Sequence, residues 1–217
     1  KQLKEMCNYE LRLHGNNDLE IGYEAKEGLT DSEIISASIY HGTEMIVMGT
    51  HGASGMIKKY ILGSNTASVI SKAQCPVLSV PENAKYFGFK RIVFASDFRE
   101  LKNNSQIESL LKLALLFNSE ILILTIRKNE NGIPSINQAI EGLKLNNSLK
   151  CVPHSFHNVV SDDVADAIDK FTNTHIADLL VTVTQKHSFL QFLFNKSITR
   201  NLVFHTNTPI LSIPETK

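Results

Sequence analysis

Two glycine-bearing segments in the first third of the chain have the composition of an anion cradle. Gly49-Thr50-His51-Gly52-Ala53-Ser54-Gly55 follows the apolar run Met45-Ile46-Val47-Met48. After ten intervening residues comes Gly63-Ser64-Asn65-Thr66, which opens onto a helical stretch running to about Lys72. Glycine lets backbone N–H groups reach a phosphate oxygen with no Cβ in the way. Ser64 and Thr66 add hydroxyl donors, and a helix N-terminus favours negative charge. Such a site needs no nucleophile and no metal ligand. It is not a Walker loop, because no Gly-Lys-Ser/Thr is present, and it is not a GxGxxG dinucleotide fingerprint. A tight turn after a strand accounts for a lone GxxG. GxxG, a further Gly-Ser and strand–loop–helix placement together point to phosphate binding.

The other reactive side chains read as structural. His51 has no carboxylate near it in sequence to orient it as a base. His154 and His157 stand three apart, so on a strand they face opposite sides and do not converge on a metal. Asp162-Asp163 suits the N-terminus of a helix. Cys7, Cys75 and Cys151 are odd in number, far apart and free of any CxxC, a pattern of reduced thiols rather than a disulfide framework. Cys75, before a strand, reads as a small buried residue. Phe189, Phe192, Leu193 and Phe194 form an apolar patch that suits a core, a pocket wall or a partner surface. No catalytic constellation is assembled and no metal ligand set is expected.

The elements that would position the glycine loop come in two copies. Cys75-Pro76-Val77-Leu78-Ser79-Val80-Pro81 matches Thr208-Pro209-Ile210-Leu211-Ser212-Ile213-Pro214, with Thr208 standing 133 residues after Cys75. Glu44-Met45-Ile46-Val47 matches Asp178-Leu179-Leu180-Val181, with Asp178 standing 134 after Glu44. The first copy therefore carries one extra residue between these strands. A helical stretch precedes each pair, Asp31 to Tyr40 and Ser161 to Phe171.

The second copy reads in full as strands from Lys90, Glu120, Val152, Asp178 and Pro209, alternating with helices from Ile107, Ser135, Ser161 and Ser188. Alternation of this kind predicts βαβ units and a parallel sheet. The first copy is shorter. Lys1 to Leu13 reads as a helix and Asp18 to Ala25 as a strand, and the counterparts of the second copy's first strand, first helix and second strand are missing. The sequence as it stands is expected to start part-way through a longer protein.

Lysine plus arginine equals aspartate plus glutamate at 22 each, so the basic excess of a nucleic-acid binder is absent. No apolar run approaches the roughly 18 residues needed to span a bilayer. The first residues, Lys1-Gln2-Leu3-Lys4-Glu5, do not read as a secretory signal, and a cytoplasmic location is expected.

Gly49-Thr50-His51-Gly52, ten residues, Gly63-Ser64-Asn65-Thr66 and then Cys75-Pro76-Val77-Leu78 resemble the universal stress protein family. The resemblance covers nearly the whole chain as a tandem pair, residues 1–82 and 89–217, the first N-terminally incomplete. The family pattern has nine residues in the gap where this chain has ten. The resemblance implies an α/β fold of the Rossmann-like, doubly wound parallel type in two tandem universal-stress-type domains. It implies ATP, with Mg accompanying it, held by Met48, Gly49, Thr50, His51, Gly52, Gly63, Ser64, Asn65 and Thr66. The adenine-site aspartate has its counterpart in the second copy, at Asp97. There the loop is eroded: Val183, Lys186 and Lys196 replace Gly49, Gly52 and Gly63, while Ser197 and Thr199 persist. The implied role is a regulatory stress-response protein that binds an adenine nucleotide. The resemblance also implies pairing of the two domains through their last strands, and admits a further homodimer. The alternative is an interaction scaffold that binds no nucleotide, and a third reading takes the nucleotide as an enzyme substrate, with slow ATP hydrolysis.

Overall fold

The computed structural model describes residues 2–14, 20–50, 64–96, 104–127, 135–184 and 207–214. The first copy supplies α1 (Gln2–His14), α2 (Thr30–Tyr40), β1 (Ile46–Gly49), α3 (Ser64–Lys72) and β2 (Val77–Val80). The second supplies β3 (Arg91–Ala95), α4 (Asn104–Phe117), β4 (Glu120–Arg127), α5 (Ile136–Ser148), β5 (His154–Val160), α6 (Val164–Thr174), β6 (Leu179–Thr184) and β7 (Ile210–Pro214). The expected helix from Ser188 to Phe204 lies outside the described residues, as do Lys186, Lys196 and the Phe189–Phe194 patch.

All seven strands join one sheet in the order β1-β2-β7-β6-β3-β4-β5. Every neighbouring pair is parallel except β2 and β7. The second copy is thus a five-stranded parallel sheet, α/β and Rossmann-like as the alternation predicts. Its central strands are apolar on both faces because both are covered. Ile92, Phe94, Ile121, Ile123, Leu179 and Val181 pack with Leu110 of α4 and Leu145 of α5. Val93, Leu122, Leu124 and Leu180 pack with Ile168 and Phe171 of α6. Helices on opposite faces make the sheet doubly wound.

The one antiparallel junction joins the last strands of the two copies. Its register is Val77↔Ser212, Leu78↔Leu211 and Ser79↔Ile210. Leu78 and Leu211 are each other's repeat counterparts, so a local pseudo-two-fold axis passes between them. The Ser79 hydroxyl donates to the Ile210 carbonyl at 3.1 Å. Its counterpart, the Ser212 hydroxyl, is buried with no hydrogen-bond partner.

The repeat also shows where α2 and α6 end. Both stop at a histidine, His41 or His175, followed by a residue of positive φ: Gly42 at 60° and Ile176 at 50°. The closing bonds correspond one for one. Thr43 N–H donates to the Ser38 carbonyl, and Ala177 N–H to the Thr172 carbonyl, both at 2.9 Å. This is the left-handed stop that glycine fills without strain. At the N-terminus of α6, Asp163 caps the helix as its sequence position predicts, accepting from the Ala165 and Asp166 amides at 3.1 Å.

One expected element is absent. Residues 20–25, the described part of the Asp18–Ala25 stretch, form no strand. A strand exists by pairing its backbone groups, and among the described residues none lies beyond β1. Side-chain burial differs between the copies: Val47 on β1 is 62% exposed, while its counterpart Val181, in the cluster that includes Leu110 of α4 and Leu145 of α5, is fully buried.

A β-branched residue in the left-handed region is strained, and Ile176 is mostly exposed, so it gains little from burial. Ile176→Gly is expected to stabilise the protein by about 0.5–1 kcal/mol, the relief of strain exceeding the added unfolded-state entropy. Urea denaturation measures it, and a destabilised variant would contradict this account of the helix stop.

Candidate functional site

The candidate site begins at the carboxyl end of β1. Met48 and Gly49 close this strand, and Thr50 follows as a buried residue whose N–H donates to the Val80 carbonyl at 3.1 Å. Ser64 opens α3, with Asn65 and Thr66 in its first turn. Thr66 is only 2% exposed, and its hydroxyl donates to the Gly49 carbonyl at 3.0 Å. That bond draws the start of α3 against the end of β1, so the described ends of both glycine segments meet at one place. The Thr66 side chain is therefore a strut between helix and strand in this structure. Asn65 is exposed.

His51, Gly52 and Gly63 lie outside the described residues, as does Asp97. Of the nine residues expected around a nucleotide, the structure thus brings together Met48, Gly49, Thr50, Ser64, Asn65 and Thr66.

The local electrostatics suit an anion. No acidic residue occupies the first turn of α3, and Lys72 sits in its last turn. The first amides of a helix lack intrahelical acceptors and carry its positive end. The helix is held from below by an apolar patch in which Val69, Ile70 and Ala73 pack on Ile46 and Val77, with Ile34, Ile35, Met48 and Cys75 around them. Cys75 is half-buried rather than buried as its position suggested, and desolvation beside this patch raises its thiol pKa.

A second group of contacts fixes α3 from the side. The Ser68 hydroxyl donates to the Asp31 carboxylate at 2.5 Å, and Lys72 Nζ donates to the same oxygen at 2.6 Å. Hydrogen bonds from Lys72 and then Ser68 hold the Asp31 pKa down at about 2. Sequence reasoning missed this contact. The three residues are separated by 37 and 41 positions, and no periodicity or motif links an acid on α2 to two donors on α3.

The histidines fall where their spacing put them. His154 bonds Asn146 of α5 at 3.0 Å, while His157 packs on Phe171 and His175 on the other face. Burial, then repulsion from His175, lowers the His157 pKa. Among the described residues, no group of three His, Cys, Asp or Glu side chains could hold a metal ion. None of the described helices is long and apolar enough to cross a membrane.

Comparison with known proteins finds similarity to one family over the first part of the chain. Residues 2–81 match the model of the universal stress protein family. Two curated relatives come from Methanocaldococcus jannaschii. Universal stress protein MJ0577 is 35% identical over 65 residues, 28% of this chain and 40% of the relative. Universal stress protein MJ0531 is 37% identical over 67 residues, 31% of this chain and 39% of the relative. The matched segment spans about two-fifths of each. Among solved structures, a universal stress protein from Archaeoglobus fulgidus aligns over 90% of this chain and 68% of its own, with a TM-score of 0.65 at 17% identity. A putative universal stress protein from Pseudomonas aeruginosa aligns over 98% and 78%, with a TM-score of 0.63 at 15% identity. These structural likenesses establish the fold.

Two outcomes are expected from the contacts around α3. Thr66→Val keeps the shape but leaves the Gly49 carbonyl without its donor. It should cost about 1–2 kcal/mol in urea unfolding, with Thr66→Ser close to the parent. A neutral valine variant would remove the strut. The depressed Asp31 pKa implies stability fully present above about pH 4 and lost as pH falls through about 2. Over that window Asp31→Asn should lose less stability than the parent, and identical acid-unfolding curves would contradict the assignment.

Proposed function

We propose that the chain is a member of the universal stress protein family, whose model matches residues 2–81, and that its first half binds ATP or a related adenine nucleotide as a regulatory rather than a catalytic ligand. The observation that carries the proposal is the Thr66–Gly49 bond, which sets the start of α3 beside the end of β1. A parallel α/β sheet presents ligand sites at the carboxyl ends of its strands. Met48, Gly49, Thr50, His51, Gly52, Gly63, Ser64, Asn65 and Thr66 would surround the phosphates and ribose. In this arrangement Thr66 contributes its backbone amide, since its hydroxyl serves Gly49, while Ser64 and Asn65 supply the first donors of the helix. Mg enters with the nucleotide, since this ion is commonly held through substrate phosphates and few protein ligands.

The second half has a supporting role. Val183, Lys186 and Lys196 stand in sequence in place of the three loop glycines, so the second copy lacks the residues without a Cβ that a phosphate cradle needs. We take residues 1–82 and 89–217 as two family domains joined through β2 and β7, acting in the cytoplasm in the response to stress. The Asp97 position marks the adenine side of the second domain, whose loop no longer matches it. Assembly into a homodimer is part of the same reading.

Calorimetric titration with ATP tests the proposal. The parent should release heat with saturation, and Gly52→Val should weaken binding by about tenfold or more, equivalent to losing one charge-assisted backbone contact. No heat with the parent would favour the scaffold reading. Equal binding by the variant would take the glycine loop out of the site. Product formed above the spontaneous rate, and lost with Gly52→Val, would instead make the nucleotide a substrate.

A further inference from the structure

We propose that Asp31 is a positioning residue: its carboxylate, gripping Ser68 and Lys72, sets α3 in the register at which its N-terminus receives the nucleotide phosphates. The inference rests on the nucleotide reading above and adds to it a residue that touches no ligand.

The need for such a residue follows from the length and setting of α3. The helix has nine residues, fewer than the roughly 12–15 that hold a helix in water without tertiary support. Its apolar patch of Val69, Ile70 and Ala73 holds it to the sheet, but apolar contact is non-directional and leaves sliding along the helix axis weakly resisted. Two directional contacts oppose sliding. Thr66 bonds the Gly49 carbonyl near the N-terminus, and Asp31 takes the Ser68 hydroxyl in mid-helix and the Lys72 ammonium in the last turn. Because Ser68 and Lys72 are four residues apart, both meet one carboxylate on the same helix face.

Asp31 is itself well placed to hold. It lies in the first turn of α2, where the helix dipole favours its charge, and α2 has no side-chain N-cap to compete for that place. Lys72 lies in the last turn of α3, where its charge is favoured in turn. The Asp31 side chain is 17% exposed while that of Lys72 is 52% exposed. An exposed ion pair by itself contributes little; the shielded carboxylate and its second donor, Ser68, make this one directional.

The repeat supplies an internal control. The counterpart of Asp31 in the second copy is Ala165, buried in the apolar face of α6. Ser68 and Lys72 correspond in sequence to Asn201 and His205. The acid and both donors are thus present in the copy that keeps the glycine loop and replaced in the copy that lost it.

The test is ATP titration of the parent, Asp31→Asn and Ser68→Ala, combined with hydrogen exchange at the amides of residues 64–72 in nucleotide-free protein. Asp31→Asn should raise the ATP Kd by about fivefold or more and speed exchange along α3, with the global unfolding midpoint shifted little. Ser68→Ala, which leaves the ion pair, covers the case in which the first variant does not fold, and should show both effects more weakly. Asp31→Glu should restore part of the affinity. A parent that binds ATP with both variants at parental affinity would overturn the proposal. So would α3 exchange unchanged in both variants, whether or not the parent binds ATP. Absence of binding by the parent, with exchange along α3 still accelerated in the variants, would overturn the nucleotide reading and leave Asp31 as the anchor of α3 alone.

Discussion

The antiparallel pairing of β2 with β7 is the contact on which the rest of the arrangement depends. Each copy ends in a strand that one neighbour pairs on one side only. Left bare, both would be open sheet edges, with unpaired amides and carbonyls. Facing each other through Leu78 and Leu211, they satisfy one another and turn two incomplete sheets into one. The junction also merges the cores. Leu78 and Met45 from the first copy pack against the cluster built from Ile92, Phe94, Leu211 and Ile213 of the second. Among the described residues the first copy contributes two strands, less than an independent sheet commonly needs, and they continue a five-stranded one.

Equal strand sequences then meet unequal neighbours. β6 is flanked by β3 and β7, and Val181 is sealed. β1 has β2 on one side and, among the described residues, no strand on the other, and Val47 is left largely in solvent. The amino-acid type is the same at both positions, and the difference in burial comes from what packs on each, Val181 sharing a cluster with Leu110 of α4 and Leu145 of α5. Repeat sequence therefore transmits local structure faithfully, as the matching stops after Tyr40 and Thr174 show down to individual hydrogen bonds, while burial follows the company each strand keeps.

That distinction governs what could be read from the chain. Strand and helix positions in the second copy were legible because period and punctuation are local signals: the isoleucine-rich stretch from Glu120 gave β4, and the stretch from Ser135 gave α5. The opposite orientation of His154 and His157 followed from strand geometry alone. Pairing partners are non-local, and here the reading ran out. The Asp18–Ala25 stretch has a strand-like composition and, over its described part, forms none, because composition does not show whether a neighbouring strand is present. The glycine segments were legible as a phosphate motif. The Thr66 side chain, read as a phosphate donor, was not legible as a strut to Gly49, because that depends on how closely a helix approaches a strand. Asp31 was invisible for the same reason, since a carboxylate beside a helix start looks like ordinary dipole compensation until its partners are seen.

The two copies suggest how a small site stays ordered on a sparse frame. In the first copy the candidate cradle stands at the end of an edge strand. A parallel neighbour on each side would fix β1 by backbone bonds; among the described residues β2 alone does so. The remaining order has to come from side chains, and the structure provides them where they act on α3: Thr66 onto the Gly49 carbonyl, Ser68 and Lys72 onto Asp31. Each is directional, and together they hold the two ends of a nine-residue helix to different elements, one to β1 and one to α2. A polar tether of this kind contributes modestly to stability, but stability is not the quantity a phosphate site demands. It demands that a few amides keep their direction to within a fraction of an ångström, and two tethers at separate points of a short helix meet that demand where burial alone would leave it free to slide.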